Sequence, residues 1–169
     1  MQSEKLKTKS ETRMEVSISD QRLTLFRDGA APKVFAVSTA KNGPGERMNS
    51  FCTPCGAHVI AEKIGAGAAP GTVFVGRKPS GEVFVPALRT RHPDRDWILT
   101  RILWLSGTEP GRNLGGEVDS HDRYIYIHGA PADVPMGQPG SAGCIRMTND
   151  DVIWLFDHVN VGTPVLIQV

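Results

Sequence analysis

The chain has 169 residues, 40% of them hydrophobic and 22% charged, and a formal net charge of +1. That length suits one domain with a real core, and the near-neutral balance gives no field to hold nucleic acid or an anionic membrane surface. No stretch approaches the roughly 20 apolar residues of a membrane-spanning helix, and 18 glycines with 12 prolines predict a turn-rich, largely β architecture.

Residues 1–13 are polar and are expected to form a flexible tail ahead of a single domain over 14–169. They lack the apolar segment and small-residue cleavage site of a secretory signal, which predicts a cytoplasmic protein, or a periplasmic one if a leader has been removed. Cys52, Cys55 and Cys144 are odd in number, two of them only three apart, and do not form a disulfide framework. Free thiols fit a reducing compartment.

Along the chain, MEVSISDQRLTLFRDG (14–29) alternates apolar and polar residues around a Ser-Asp turn and ends in Asp28-Gly29, the pattern of a hairpin. KVFAVSTA (33–40) follows as a third strand. Glycines and prolines break every period over 41–56, a loop. HVIAEKI (58–64), TVFVGR (72–77) and EVFVP (82–86) read as further short strands. WILTRILWLSG (97–107) fits a buried strand or a short helix; its Ile, Leu and Trp content and the Gly at its end favour a strand. After a loop over 107–116, RYIYIHG (123–129) alternates, with Tyr124, Tyr126 and His128 on one face and Ile125 and Ile127 on the other. TNDDVIWLFDHV (148–159) is the one clear helix. Thr148 is its N-cap, Asp151 the capping-box partner, and Val152, Leu155, Phe156 and Val159 its core face. GTPVLIQV (162–169) closes the domain as a strand.

The chemistry concentrates in HGAPADVPMGQPGSAGCIRM, residues 128–147. A thiol is a weak nucleophile until a base takes its proton or a positive neighbour stabilises the thiolate. A strand end would hold the His128 imidazole, and the Gly- and Pro-rich loop would fold back to bring Cys144 beside it. Gly143 would let a substrate approach the backbone and let nearby N–H groups face a developing oxyanion. On residue types alone a buried cysteine is as readily an inert small hydrophobe.

The order of the residues resembles the catalytic motif of the L,D-transpeptidase (YkuD) family. In that motif His-Gly, a loop and Ser-x-Gly-Cys are followed by a hydrophobic residue and Arg or Asn. His128, Gly129, Ser141, Gly143, Cys144, Ile145 and Arg146 fall in register, and Thr53, Pro54 and Gly56 match an upstream Thr-Pro-x-Gly element. The resemblance covers about residues 15–169. It implies a mostly β, sandwich-like catalytic domain with Cys144 as nucleophile, His128 as base and the Gly129 carbonyl orienting the imidazole. Oxyanion-hole or substrate-binding positions would be Gly143, Ser141, Arg146 and Tyr126, with the N–H groups of Gly143 and Cys144 facing the oxyanion. Ala142 stands where the family often has a second histidine.

By the same resemblance the substrate is a peptidoglycan tetrapeptide stem, cut between meso-diaminopimelate and the terminal D-Ala through a Cys thioester. No metal or organic cofactor is implied, and a monomer acting on small stem peptides is expected. Water as acceptor makes the enzyme an L,D-carboxypeptidase of peptidoglycan recycling; an amine acceptor makes it a former of 3→3 cross-links. The missing leader favours water. Two other classes remain as alternatives: a thiol-redox or metal-binding protein using Cys52, Cys55 and His58, and a stem-peptide module without catalysis. His92, His121 and His158 are expected to be surface or capping residues, and the arginine-rich stretch 89–123, interleaved with acids, a solvated face.

Overall fold

The computed structural model describes residues 12–169. Most of the expected 1–13 tail lies outside them, and Arg13 already belongs to the first strand. Ten strands and two α-helices follow: β1 Arg13–Ser17, β2 Arg22–Phe26, β3 Lys33–Ala36, β4 Gly56–Ile64, β5 Thr72–Val75, β6 Lys78–Val83, α1 Pro86–Arg91, β7 Ile98–Gly107, β8 Tyr126–Gly129, β9 Ile145–Met147, α2 Asn149–His158 and β10 Pro164–Gln168. The sheet runs β3-β2-β1-β10-β4-β7-β5-β6, and β8 branches from β7 to carry β9. Because β4 and β8 both pair with Ile102–Trp104 of β7, they occupy its two opposite edges.

The fold is mostly β and sandwich-like, as expected from the sequence. Met14, Val16, Leu23, Leu25, Val165 and Ile167 on one half of the sheet face Leu103, Leu105, Ile127, Ile145 and Met147 on the other. Helix α2 joins that core through Val152, Leu155 and Phe156, the stripe that its spacing implies. Bridges from Ser38 to Arg146 and from Ala40 to Ser141 bring the chain beyond β3 against β9, so the free ends of the branched sheet meet.

Three local expectations need correction. Of the expected strand 82–86 only Glu82 and Val83 are in a strand, one that starts at Lys78; Val85 is an N-cap and Pro86 opens a helix, because a proline at the first helical position costs no hydrogen bond. The ninth strand, Ile145–Met147, is too short to show a period in the sequence and exists because β8 pairs with it in parallel. Finally, β8 begins at Tyr126. Tyr124 has a φ of +57°, which takes it out of the alternation and leaves it exposed while Tyr126 is buried.

Thr148 caps α2 by accepting the Asp151 N–H (3.2 Å). Thr148→Ala is expected to lower unfolding stability by about 1 kcal/mol and Thr148→Ser to leave it nearly unchanged, as read from urea melts.

Candidate active site

In the parallel β8–β9 ladder, Ile127 lies opposite Ile145 and His128 opposite Arg146. Ile127, Ile145 and Met147 fill the main core, so alternation turns Tyr126 and His128, with Arg146 and Cys144, to the other face. There Cys144 packs against Phe74, Ile102, Trp104 and Tyr126. The strand pairing thus puts on one face the two residues that the sequence places 16 positions apart.

His128 is fully buried, and its Nδ1 lies 2.6 Å from the Gly129 carbonyl oxygen. A carbonyl only accepts, so Nδ1 carries the proton and Nε2 keeps a lone pair. That Nε2 has no hydrogen-bond partner among the described residues. The thiol is held separately: Cys144 Sγ donates to the Tyr124 carbonyl (3.3 Å) and accepts the Tyr126 N–H (3.4 Å). In this resting arrangement thiol and imidazole do not hydrogen-bond to each other.

Burial decides the charge states. It pushes the Cys144 thiol up to about 12; the Tyr126 N–H, Arg123 and Arg146 pull the other way, and Asp96 adds to the rise. Burial also lowers His128, against the opposing pull of Asp96 and the Gly129 carbonyl. The resting pair is therefore a neutral thiol and a neutral imidazole, not an ion pair.

Gly129 has no room for a side chain, since a Cβ would lie 2.4 Å from Asn149 Oδ1 and 2.7 Å from the Leu99 carbonyl. Its neighbour in β7, Thr100, is buried with a φ of +76°, a strained setting for a β-branched residue. The strain is held by Thr100 Oγ1, which donates to Asn149 Oδ1 (2.6 Å) and accepts the Gly71 N–H (3.0 Å). It sits in a bulge of β7, between the pairs Leu99–Gly129 and Ile102–His128.

Ser141 is buried and works within the loop: its Oγ donates to the Cys144 carbonyl (2.5 Å) and accepts the Gly143 N–H (3.2 Å). The Gly143 N–H is thereby occupied, whereas the Cys144 N–H has no partner among the described residues. Thr53 of the upstream element is buried and donates to the Gly143 carbonyl (2.8 Å). Gly143 itself has a φ of +134°, in the region that glycine favours. Arg146 donates to Ser38 Oγ (2.7 Å), and its guanidinium passes so close to Gly140 that a Cβ there would meet Nη2 at 2.5 Å.

A cavity of about 380 Å³ opens over the thiol, with Arg77, Asp96, Arg123, Tyr124, Tyr126 and Ala142 among its walls. Ala142 contributes only a methyl group where the family often has an imidazole. A larger cavity of about 810 Å³ lies among Phe84, Arg89, Ala130, Met136 and Asn149, and Cys144 is not part of its lining. Arg77, Asp96 and Arg123 escaped sequence reasoning. The one available signal was the Gly76-Arg77 pair directly after the apolar run Thr72–Val75, a two-residue hairpin turn. Nor is the stretch 89–123 wholly a solvated face. Arg101 is buried, donating to the carbonyls of Ala68 (2.8 Å) and Thr100 (2.7 Å), and Arg123 donates to the Cys52 carbonyl (2.7 Å).

The alternative built on Cys52, Cys55 and His58 finds no support in this geometry. Cys55 is buried in the main core, and burial raises its thiol, which makes it less reactive. Both ring nitrogens of His58 are engaged, Nδ1 with the Gly56 carbonyl (2.9 Å) and Nε2 with Ser120 Oγ (2.8 Å). Of the remaining histidines, His121 stacks on Trp104 and His158 on Trp154.

A thiol and an imidazole on one face of a branched β sheet, with a cavity over the thiol, define a candidate cysteine acyl-transfer site. The chain belongs to the YkuD family: the L,D-transpeptidase catalytic domain matches residues 11–167. It is 39% identical over 93 residues to a protein of Salmonella typhimurium named as the L,D-transpeptidase ErfK/SrfK, covering 55% of this chain and 30% of that one. To Bacillus subtilis YqjB, also named as an L,D-transpeptidase, it is 46% identical over 57 residues, covering 33% of this chain and 32% of that one. The chain thus spans about a third of the length of these curated relatives. The crystal structure of L,D-transpeptidase 3 from Mycobacterium tuberculosis superposes with a TM-score of 0.57 at 19% identity, covering 95% of this chain and 62% of that one. An L,D-transpeptidase from Mycobacterium smegmatis gives 0.54 at 22% identity, covering 95% and 59%. These likenesses establish the fold.

The charge states predict a pH window for stability. His128 and His58 both fall below the ordinary 6.5, so below that pH the unfolded chain takes up protons that the folded one refuses. Cys144 and Cys55 rise above the ordinary 9.0, so above that pH the unfolded thiols ionise first. Urea midpoints measured across the range should be highest between about 6.5 and 9 and decline on both sides.

Proposed function

We propose that the protein is a cysteine acyl-transfer enzyme that opens the bond between meso-diaminopimelate and the terminal D-Ala of peptidoglycan tetrapeptide stems. The observation that carries this reading is the locked tautomer of His128: with Nδ1–H held by Gly129, the unpartnered Nε2 is a base with nothing else to do. Membership of the L,D-transpeptidase family supports the stem-peptide substrate class.

In this mechanism Cys144 leaves the Tyr124 carbonyl and passes its proton to His128 Nε2 as Sγ attacks the carbonyl carbon of diaminopimelate. The Cys144 N–H faces the oxyanion. His128 then returns the proton to the departing amine of D-Ala, leaving a thioester. Because burial opposes a free thiolate, proton transfer and attack belong to one step within the bound complex. Ser141 and Thr53 hold the loop that aims the thiol, Arg146 braces β9 against Ser38, and Tyr126 supplies the N–H that steadies the sulfur.

Water is the favoured acceptor: a second proton transfer through His128 gives a tripeptide, the reaction of an L,D-carboxypeptidase. Three cysteines, none in a disulfide, suit the reducing cytoplasm, where recovered stem peptides would be the substrate. The relatives' names favour the competing reading, in which an amine takes the acyl group and forms a 3→3 cross-link. Mass spectrometry of products from purified tetrapeptide, with and without an amine acceptor, decides between them. Tripeptide and D-Ala as the main products support hydrolysis; a dominant 3→3 dimer at modest acceptor concentration reverses that choice.

Cys144→Ala should lose turnover by at least about a thousand-fold, while Cys52→Ala and Cys55→Ala keep most of it. A carbapenem should add once to the intact protein and not at all to Cys144→Ala, as read by intact mass. An adduct on Cys52 or Cys55 would overturn the assignment.

A further inference from the structure

The walls of the Cys144 cavity carry three charged side chains, Arg77, Arg123 and Asp96. Arg123 is committed to the fold. Its Nη1 donates to the Gly45 carbonyl (3.2 Å), and its Nη2 to the Cys52 carbonyl (2.7 Å) and Ser50 Oγ (3.3 Å). The other two are not committed in this way.

Arg77 stands at the tip of the β5–β6 hairpin. Val75 pairs with Lys78, so Gly76 and Arg77 form the whole turn, with φ of +55° and +65°. Such a turn favours Asn and Gly, and a long cationic side chain in the left-handed region is strained. The guanidinium is aimed by its surroundings: it lies 4.8 Å from the ring centre of Trp104 and 4.9 Å from that of Tyr124, and Nη1 donates to Tyr126 Oη (3.2 Å). This is its one hydrogen bond among the described residues, and no carboxylate there pairs with it. A strained, aromatic-clamped guanidinium with most of its donors free is a pre-formed carboxylate receptor.

Asp96 precedes β7 and lines both the Cys144 cavity and an adjoining crevice of about 190 Å³ that also touches Arg146. It is exposed and makes no ion pair among the described residues. Among the described residues it is also the only carboxylate in the cavity wall. Its negative charge acts on both members of the pair, opposing the Cys144 thiolate and favouring a protonated His128.

We propose that Arg77 and Asp96 make the Cys144 cavity a receptor for a zwitterion, Arg77 taking a free carboxylate and Asp96 a free ammonium. This rests on the reading of the site as one for stem peptides and deepens it. The group recognised is the unlinked amino-acid end of the diaminopimelate side chain, which carries both charges. With its carboxylate on Arg77 and its ammonium on Asp96, the stem is held in the cavity that Cys144 lines.

Two measurements test this. The first needs no turnover: Cys144→Ala protein is titrated with free diaminopimelate and followed by NMR chemical shifts. Binding should weaken about ten-fold or more when Arg77→Ala or Asp96→Asn is added, and Asp96→Glu should restore part of it. Equal binding in all variants, or none in any, overturns the proposal whatever the peptide assays show. The second measurement compares cleavage of tetrapeptides whose side-chain amine is free or acetylated. The wild-type chain should prefer the free amine in kcat/KM by about ten-fold, and Asp96→Asn should cut both alike. Equal cleavage of the two peptides by the wild-type chain overturns the zwitterion receptor while leaving the stem-peptide reading intact. Failure to cut either peptide, with diaminopimelate still bound through Arg77 and Asp96, overturns the stem-peptide reading alone.

Discussion

The parallel pairing of β8 with β9 is the constraint on which the site depends. Strand residues alternate between faces, so a register that buries Ile127 and Ile145 in one core must send His128, Arg146 and Cys144 to the other side. A slip of one residue would bury the nucleophile's neighbours and expose the core. The loop between the strands is long because a parallel pair needs a crossover, and its tip is fastened where precision matters, by Ser141 on Cys144 and Thr53 on Gly143. Those fastenings also use the bridges to β3's continuation, so the site is built where the two ends of the branched sheet meet.

Burial then sets the chemistry. A site that excluded less water would hold a more readily ionised cysteine, open to oxidation and to any passing electrophile. Here the thiol rests neutral, and so does the imidazole, whose proton is fixed on the side away from the reaction by a backbone carbonyl. The carbonyl replaces the carboxylate of a Ser-His-Asp triad and orients the ring without adding a charge. The free protein is thus guarded, and reactivity waits on what enters the cavity.

Much of this was legible in the sequence. The His-Gly and Ser-x-Gly-Cys elements carry chemistry that depends on residue type and local backbone, and alternation in 123–129 marked His128 as a strand residue. The helix at 148–159 announced itself through its cap and its apolar stripe. Strand β9 was hidden because three residues cannot display a period, and Tyr124 left its expected face because a local left-handed φ overrides alternation. Arg77 and Asp96 could not be found by motif. They lie far from Cys144 along the chain and reach its cavity only through the packing of β5, β6 and β7, a tertiary fact with no local trace. Arg101 looked like part of a charged surface because composition does not reveal that backbone carbonyls will enclose a guanidinium.

Strand β7 has partners on both edges over Ile102–Trp104, whereas the β5–β6 hairpin ends the sheet. Opening of a sheet begins at its rim, where the fewest ladder bonds must break, and reaches the centre only when the whole domain unfolds. The amide protons of Leu103 and Leu105 therefore belong to the slowest-exchanging class, and those around Gly76 to the fastest. The imidazole is anchored beside an interior strand while the guanidinium rides on a hairpin at the rim. One wall of the cavity stays in place as the other breathes, so its mouth can open without disturbing the imidazole.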